Sequence, residues 1–234
     1  DDDQYLQTAP SVETPGEDVM AEAQQGLDCW VGFLQATGGA INPEKSYWYM
    51  LDYHWTGKKW KYRSIANMPG DLFAPDPDGT LKALIRKEPT EGAKQLGIYS
   101  TPDGTCSAET KYLQSKADAF AENISRQNML KPNEVWTNLT HTVSKTMEYP
   151  MPATRLKETE WDSISSTLNQ AALPRAKIAR TFPRVVLNGP LDYQGLGHMN
   201  RWHQQELSHL ADLVYQVHRQ TSCGTKYQMT IEQL

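Results

Sequence analysis

The stretch ATGGAINPEKSYWY, residues 36–49, decides how the first half of this chain is read. Two consecutive glycines, Gly38 and Gly39, stop a helix, because glycine takes the left-handed conformation that ends one at no steric cost. A polar loop carrying Lys45 follows. Aromatic and apolar residues then crowd together from Tyr47 to Trp55 and predict a strand. Going backward from the glycines, Met20, Ala23, Leu27, Trp30 and Leu34 recur at steps of three and four, the buried face of a helix. Thr14-Pro15-Gly16-Glu17 predicts its start as a capping box, with Thr14 as N-cap and Glu17 reaching back. Going forward, Thr56-Gly57 predicts a turn, and Trp60 to Ile65 the return strand. A Pro-, Asp- and Gly-rich loop covers roughly 68–79. TLKALIR and QLGIYS (residues 80–86 and 95–100) read as further strands. Residues 1–105 thus predict a helix packed on an antiparallel sheet.

Beyond Thr105 the apolar period changes from two to 3.6. Leu113, Ala117, Phe120 and Ile124 form one helical stripe. Trp136, Leu139, Val143 and Met147 form a second after Pro132, and Trp161, Ile164, Leu168 and Ala171 a third, closed by Pro174. A fourth runs through His203, Leu207, Leu210, Val214 and Val217 behind an Asn200 cap. Residues 106–234 therefore predict a helical bundle. The fold class expected is α+β, with a domain boundary between Gly104 and Ser107.

Composition narrows the function. At 234 residues with 38% hydrophobic and 22% charged side chains, the chain can bury a core. It has no apolar run of the roughly 18 residues a membrane span needs. Its acidic start is unlike a secretory signal, which predicts an intracellular protein of nucleus or cytoplasm, not a secreted one. Cys29, Cys106 and Cys223 are scattered and odd in number, against a disulfide framework or zinc site. The net charge of −5 is unevenly spread. Residues 1–30 hold eight acids (Asp1, Asp2, Asp3, Glu13, Glu17, Asp18, Glu22, Asp28) and no Lys or Arg, so 20 of the 28 acids face all 23 basic residues in the rest of the chain. A polyanionic partner is compatible with that distribution.

Taken in order, these pieces resemble a known family. A double aspartate, a helix, the Gly-plus-Lys phrase at 36–49, a strand pair, Glu88-Pro89 and Leu96-Gly97 follow one another as in the back half of a reverse-transcriptase palm. The helical region then stands where the thumb would. The phrases at 149–154 (YPMPAT) and 189–197 (GPLDYQGLG) are similar to those of retrotransposon-type reverse transcriptases. The likeness runs nearly end to end, weakening after about Asp212, and the ordered long phrase carries most of it. The chain is thereby expected to be an N-terminally truncated piece, a partial palm followed by a thumb-like bundle, without fingers or the first catalytic aspartate, and inactive alone. The absence of a starting methionine fits the same expectation.

The resemblance implies roles by position. Asp1 and Asp2 would be the catalytic pair and hold magnesium; the register Asp2–Asp3 stays open. Two-metal nucleotidyl transfer needs such hard oxygen ligands. Lys45 would assist the leaving diphosphate, or is a solvated loop lysine. Leu96 and Gly97 would match the turn that grips the primer end, or form a bulge in an edge strand. Lys59, Lys61 and Arg63, interleaved with Trp55, Trp60 and Tyr62 and flanked by Lys58, share a face if strand alternation holds, and would contact a nucleic-acid backbone; a solvated sheet face is the plain alternative. Arg175, Lys177, Arg180 and Arg184, with Lys131 and Lys145, are further candidates in the helical region. The partners implied are an RNA template, a DNA primer and deoxynucleoside triphosphates. Two other classes remain in view: a nucleic-acid-binding module without chemistry, and a structural or interaction domain.

Overall fold

The computed structural model describes residues 6–11, 14–127, 129–219 and 221–233. The chain is α+β and divides into two compact units. The first comprises residues through Leu96 together with Thr101–Thr105, and the second Gly97–Ser100 together with Cys106 onward.

In the first unit α1 (Gly16–Ala36) begins at Pro15 with no side-chain cap, so the expected Thr14 capping box does not form. Its end is as expected. The Gly39 amide donates to the Leu34 carbonyl at 2.8 Å and the Gly38 amide to Gln35 at 3.0 Å, the paired bonds of a Schellman motif with Gly38 left-handed at φ 81°. Leu27 and Val31 on α1 pack with Leu72, Ala74 and Leu84, and Ala23, Ile41 and Trp48 close the cluster.

The strands are three residues long, and the single antiparallel sheet expected from the sequence is replaced by separate pairs. β1 (Tyr47–Tyr49) pairs in parallel with β6 (Ile85–Lys87). β2 (Tyr53–Trp55) and β3 (Trp60–Tyr62) form an antiparallel hairpin. β4 (Phe73–Pro75) pairs antiparallel with β5 (Leu81–Ala83), placing a strand where a loop was expected. The run 47–55 breaks because the Asp52 carboxylate takes the Tyr53 amide at 2.8 Å, a local bond that competes with a sheet ladder. The run 80–86 breaks at buried Leu84, whose amide donates to the Leu72 carbonyl at 2.8 Å. Gln24 of α1 covers the edge of β4, accepting from the Phe73 amide at 2.8 Å and donating to its carbonyl at 2.9 Å. β7 (Ala93–Gln95) completes the unit.

The second unit contains β8 (Ile98–Ser100) and α2 (Ser107–Arg126). Next come α3 (Pro132–Thr137) and α4 (Ser144–Glu148), joined by a π-helical stretch, Asn138–Val143. α5 (Glu158–Arg175), α6 (Arg184–Asn188), α7 (Arg201–Val217) and α8 (Ser222–Glu232) follow. Leu113, Ala117, Leu139, Met147, Trp161, Ile164 and Leu168 form one sealed core, matching the first three stripes. Pro174 does not close α5 but sits in its last turn. The Asn200 carboxamide accepts from the His203 amide at 3.2 Å, the expected cap of α7.

α7 is turned the other way round from its apolar pattern. Leu207, Leu210 and Val214 are exposed, while Arg201 and Gln205 are buried. Gln205 accepts from the Leu156 amide (3.0 Å) and the Trp161 indole (2.9 Å), and donates to the Leu156 carbonyl (3.0 Å). Nε2 of His209 lies 2.8 Å from the Met151 carbonyl and 2.9 Å from that of Thr154, so this nitrogen carries the proton. Among the described residues, no helix is long and apolar enough to cross a membrane.

Candidate nucleic-acid interface

The β2–β3 hairpin is built by a turn in which Thr56 donates twice to the Lys59 carbonyl, through its amide (3.0 Å) and hydroxyl (2.8 Å). That closure sets the register Tyr53↔Tyr62, His54↔Lys61, Trp55↔Trp60. Since side chains alternate across a strand, Lys59, Lys61 and Arg63 share one parity with His54. Tyr53, Trp55, Trp60 and Tyr62 share the other. The aromatic side is a ladder of two cross-strand pairs, with ring centroids 4.6 Å apart for Tyr53–Tyr62 and 5.4 Å for Trp55–Trp60. The Tyr53 hydroxyl donates to that of Tyr62 at 3.1 Å, and the Tyr62 hydroxyl donates to the Pro102 carbonyl at 3.4 Å. The Tyr53 bond, reinforced by desolvation, pushes the Tyr62 phenol up to about 12. Three of the four rings face solvent: Tyr53 is 49%, Trp55 54% and Trp60 65% exposed.

The basic side is less uniform. Arg63 Nε is paired with the Asp52 carboxylate at 2.8 Å, and its amide donates to the Asp52 carbonyl at 2.9 Å, so Arg63 is partly committed to holding the hairpin's open end. Lys58, Lys59 and Lys61 make no ion pair among the described residues.

Lys45 lies on the exposed loop between α1 and β1, in a turn closed by its own amide to the Asn42 carbonyl at 3.1 Å. Neighbouring Glu44 is drawn to Lys82 at 3.3 Å. A cleft of about 310 Å³ opens beside Gly38 and Gly39, lined also by Ile41, Pro75 and Asp76. The Asp76 carboxylate is held below its usual range by Lys82, 3.1 Å away, and by the Thr80 and Asp78 amides, so this lining acid is already engaged. Leu96 and Gly97 both have positive φ, 47° and 89°. They form a turn rather than the interior of a strand, and Leu96 points largely to solvent.

Asp1 and Asp2, expected to be the catalytic pair and magnesium ligands, lie outside the described residues, as does Asp3. Among the described residues no group of three or more His, Cys, Asp or Glu side chains is disposed to hold a metal ion. The cysteines are free. In the helical unit, Arg175 is occupied by the Ile124 and Gln127 carbonyls, and Lys145 by Glu148 at 2.6 Å. Arg180 and Arg184 are exposed.

Several residues of the sequence phrases at 88–89, 149–154 and 189–197 have structural work here. Glu88 accepts from the Ile65 amide at 2.9 Å and caps the short 3-10 turn Ile65–Asn67. Thr154 is buried and donates to the Pro150 carbonyl at 2.8 Å. A Cβ on Gly195 would run into the Gly189 carbonyl, so this close crossing admits only glycine. Two features escaped the sequence reading. Tyr53 completes the aromatic face, which the register would have revealed had the Thr56–Lys59 turn been placed. His198 and Arg201 are buried next to each other: burial first, then the charges of Arg201 and Arg184, bring the His198 imidazole down to about 4. Neither carries an apolar signature. No family model, curated protein or solved structure matches the chain.

Proposed function

We propose that this chain is the later part of a retroelement reverse transcriptase, with residues 1–105 contributing to the palm and 106–234 forming a thumb-like helical domain. In the intact enzyme the reaction is RNA-directed DNA synthesis from deoxynucleoside triphosphates on an RNA–DNA hybrid; these 234 residues alone bind nucleic acid without synthesis. Support comes from the order of the shared phrases. The single geometric observation that favours the reading is the common parity of Lys59, Lys61 and Arg63 on a hairpin whose lysines are unpaired among the described residues.

Magnesium, held by Asp1 and Asp2, would supply activation of the primer hydroxyl and neutralisation of the leaving diphosphate. Lys45, exposed on its loop, would add a positive charge for the same leaving group. The lysines of the hairpin would contact phosphates irrespective of sequence.

The test is fluorescence anisotropy with a labelled RNA–DNA hybrid between 50 and 200 mM salt. Binding should weaken steeply with salt and be insensitive to chelation of magnesium. Replacing Lys59, Lys61 and Arg63 by Gln should lower the salt slope by about 0.9 for each phosphate no longer neutralised. No binding at 50 mM salt would overturn the reading. It would favour an interaction domain, a class for which the exposed Leu207, Leu210 and Val214 stripe speaks.

A further inference from the structure

A cleft of about 450 Å³ lies between α1 and the β4–β5 hairpin, among residues that the nucleic-acid reading does not use. That volume is in the range of sites for small organic molecules, roughly 300–1,000 Å³. Its walls are apolar, with Met20 and Ala21 contributed by α1, Phe73 by β4 and Leu81 by β5. Phe73 is 44% and Leu81 67% exposed, so both side chains are open to a ligand.

Charge is built into the lining itself. Asp28 and Asp71 belong to it, and no Lys, Arg or His joins them. Neither makes an ion pair among the described residues. Met20, Gln24 and Asp28 recur at steps of four along α1, which stacks them on one face. Gln24 is fixed by its two bonds to the Phe73 main chain, and its Nε2 also donates to Oδ1 of Asp28 at 2.7 Å. That bond orients the Asp28 carboxylate and leaves its second oxygen for a ligand. Asp71 stands at the other end, next to Gly70, where a Cβ would come within 2.6 Å of the Met20 sulfur. Eight residues of helix, about 12 Å, separate Met20 from Asp28. Arg86, held by the Met68 and Gly70 carbonyls at 2.6 and 2.9 Å, partly balances the charge of Asp71. Asp28 sits instead on a helix that carries Glu17, Asp18 and Glu22 and no basic residue.

These features select the occupant. An anion would meet two carboxylates with no counter-charge in the lining. A bare metal ion lacks a third donor, since among the described residues no three His, Cys, Asp or Glu side chains are disposed to hold one. A neutral apolar molecule would strip water from Asp28 and give it no partner. A cationic group on an apolar body satisfies the walls and the carboxylate together. We propose that the cleft between α1 and the β4–β5 hairpin binds a small organic cation, with its ammonium or guanidinium on Asp28 and its apolar body over Phe73, Leu81 and Met20.

The test uses three indoles of similar size, titrated into the full 234-residue chain and followed by ligand-observed proton NMR. Tryptamine is a cation, 3-ethylindole is neutral and indole-3-acetate is an anion. Tryptamine should bind with a Kd on the order of 1 mM, 3-ethylindole about five-fold more weakly, and indole-3-acetate not measurably. High salt should weaken tryptamine alone. Asp28→Asn keeps an acceptor for Gln24 and should bring tryptamine down to the level of 3-ethylindole, whereas Asp28→Glu should preserve the difference. Asp71→Asn should have the smaller effect. Ala21→Leu, which fills the cleft from a helical position, should remove both ligands. Equal binding of tryptamine and 3-ethylindole overturns the site. So does tryptamine binding unmoved by Asp28→Asn or Ala21→Leu in chains whose circular dichroism matches the parent. Capture of a Leu-Lys-Leu peptide with no binding of tryptamine also overturns it, and makes the cleft a peptide dock. The cleft and the β2–β3 hairpin share no residue, so failure of either reading leaves the other standing.

Discussion

The two units solve the problem of burial differently. In the helical unit Trp161, Ile164, Leu168 and Leu139 are sealed from solvent, whereas in the strand unit Leu27, Val31, Leu72 and Leu84 each retain 7–9% exposure. The cause is geometric. α2 and α5 are 20 and 18 residues long and can interlock over several turns. Three-residue strands paired two by two offer only a few inward side chains, and such pairs depend on a helix laid across them. The strand unit consequently keeps aromatic rings at its surface, and it holds the candidate interface. Packing is concentrated in one unit and exposed chemistry in the other.

The largest effect that could break this contrast is in the helical core. Trp161→Ala removes a fully buried indole and its bond to Gln205, and should cost about 3–5 kcal/mol. Leu84→Ala in the strand unit should cost about 2 kcal/mol. Urea unfolding followed by circular dichroism measures both, and equal costs would remove the distinction between the cores.

A pH titration sharpens the same point. His198 stays neutral in the folded chain down to about pH 4, against 6.5 when unfolded, so between those values the unfolded chain binds the extra proton. Stability contributed by this site is complete above pH 6.5, falls as pH drops, and levels off below about 4. The total is about 3 kcal/mol. His198→Asn should flatten the dependence across this window. An unchanged slope in urea midpoints at pH 4–7 would show that His198 is not the responsible group.

The smallest effect belongs to the strand unit. Gly38→Ala places a Cβ at φ 81° and should cost about 1 kcal/mol. It adds no clash, since no atom lies within 4 Å of that position. A thermal midpoint equal to that of the parent chain would mean the Schellman end of α1 is not needed to hold this unit.

Much of the candidate site was legible from the sequence in one dimension only. The alternation of Lys59, Lys61 and Arg63 with aromatic residues gave their parity, because alternation is a property of any extended chain. It could not give Tyr53 as the fourth ring or Asp52 as the partner of Arg63, since both depend on cross-strand register. The assignment of 95–100 to one strand failed because the backbone reverses at Leu96-Gly97 with two positive φ values, which leucine seldom adopts.

What the sequence determined by itself is whatever closes within a few residues. The Gly38-Gly39 stop, the Asn200 cap and the stripes of α2 and α5 follow from hydrogen bonds and side-chain neighbours no more than five positions apart. Tertiary structure alone decided the rest. It broke 80–86 at the Leu84–Leu72 bond, gave the segments of 47–55 different partners, paired β1 with β6 in parallel, and turned α7 so that its polar stripe faces inward. The last outcome shows the reason. Burying Gln205 and His209 is costly unless every polar atom finds a partner, and theirs are main-chain groups and an indole 44 to 58 residues away. Local periodicity contains no information about partners that distant, so a helix whose Gln205 and His209 find their hydrogen bonds elsewhere can bury the face that its own pattern assigns to water.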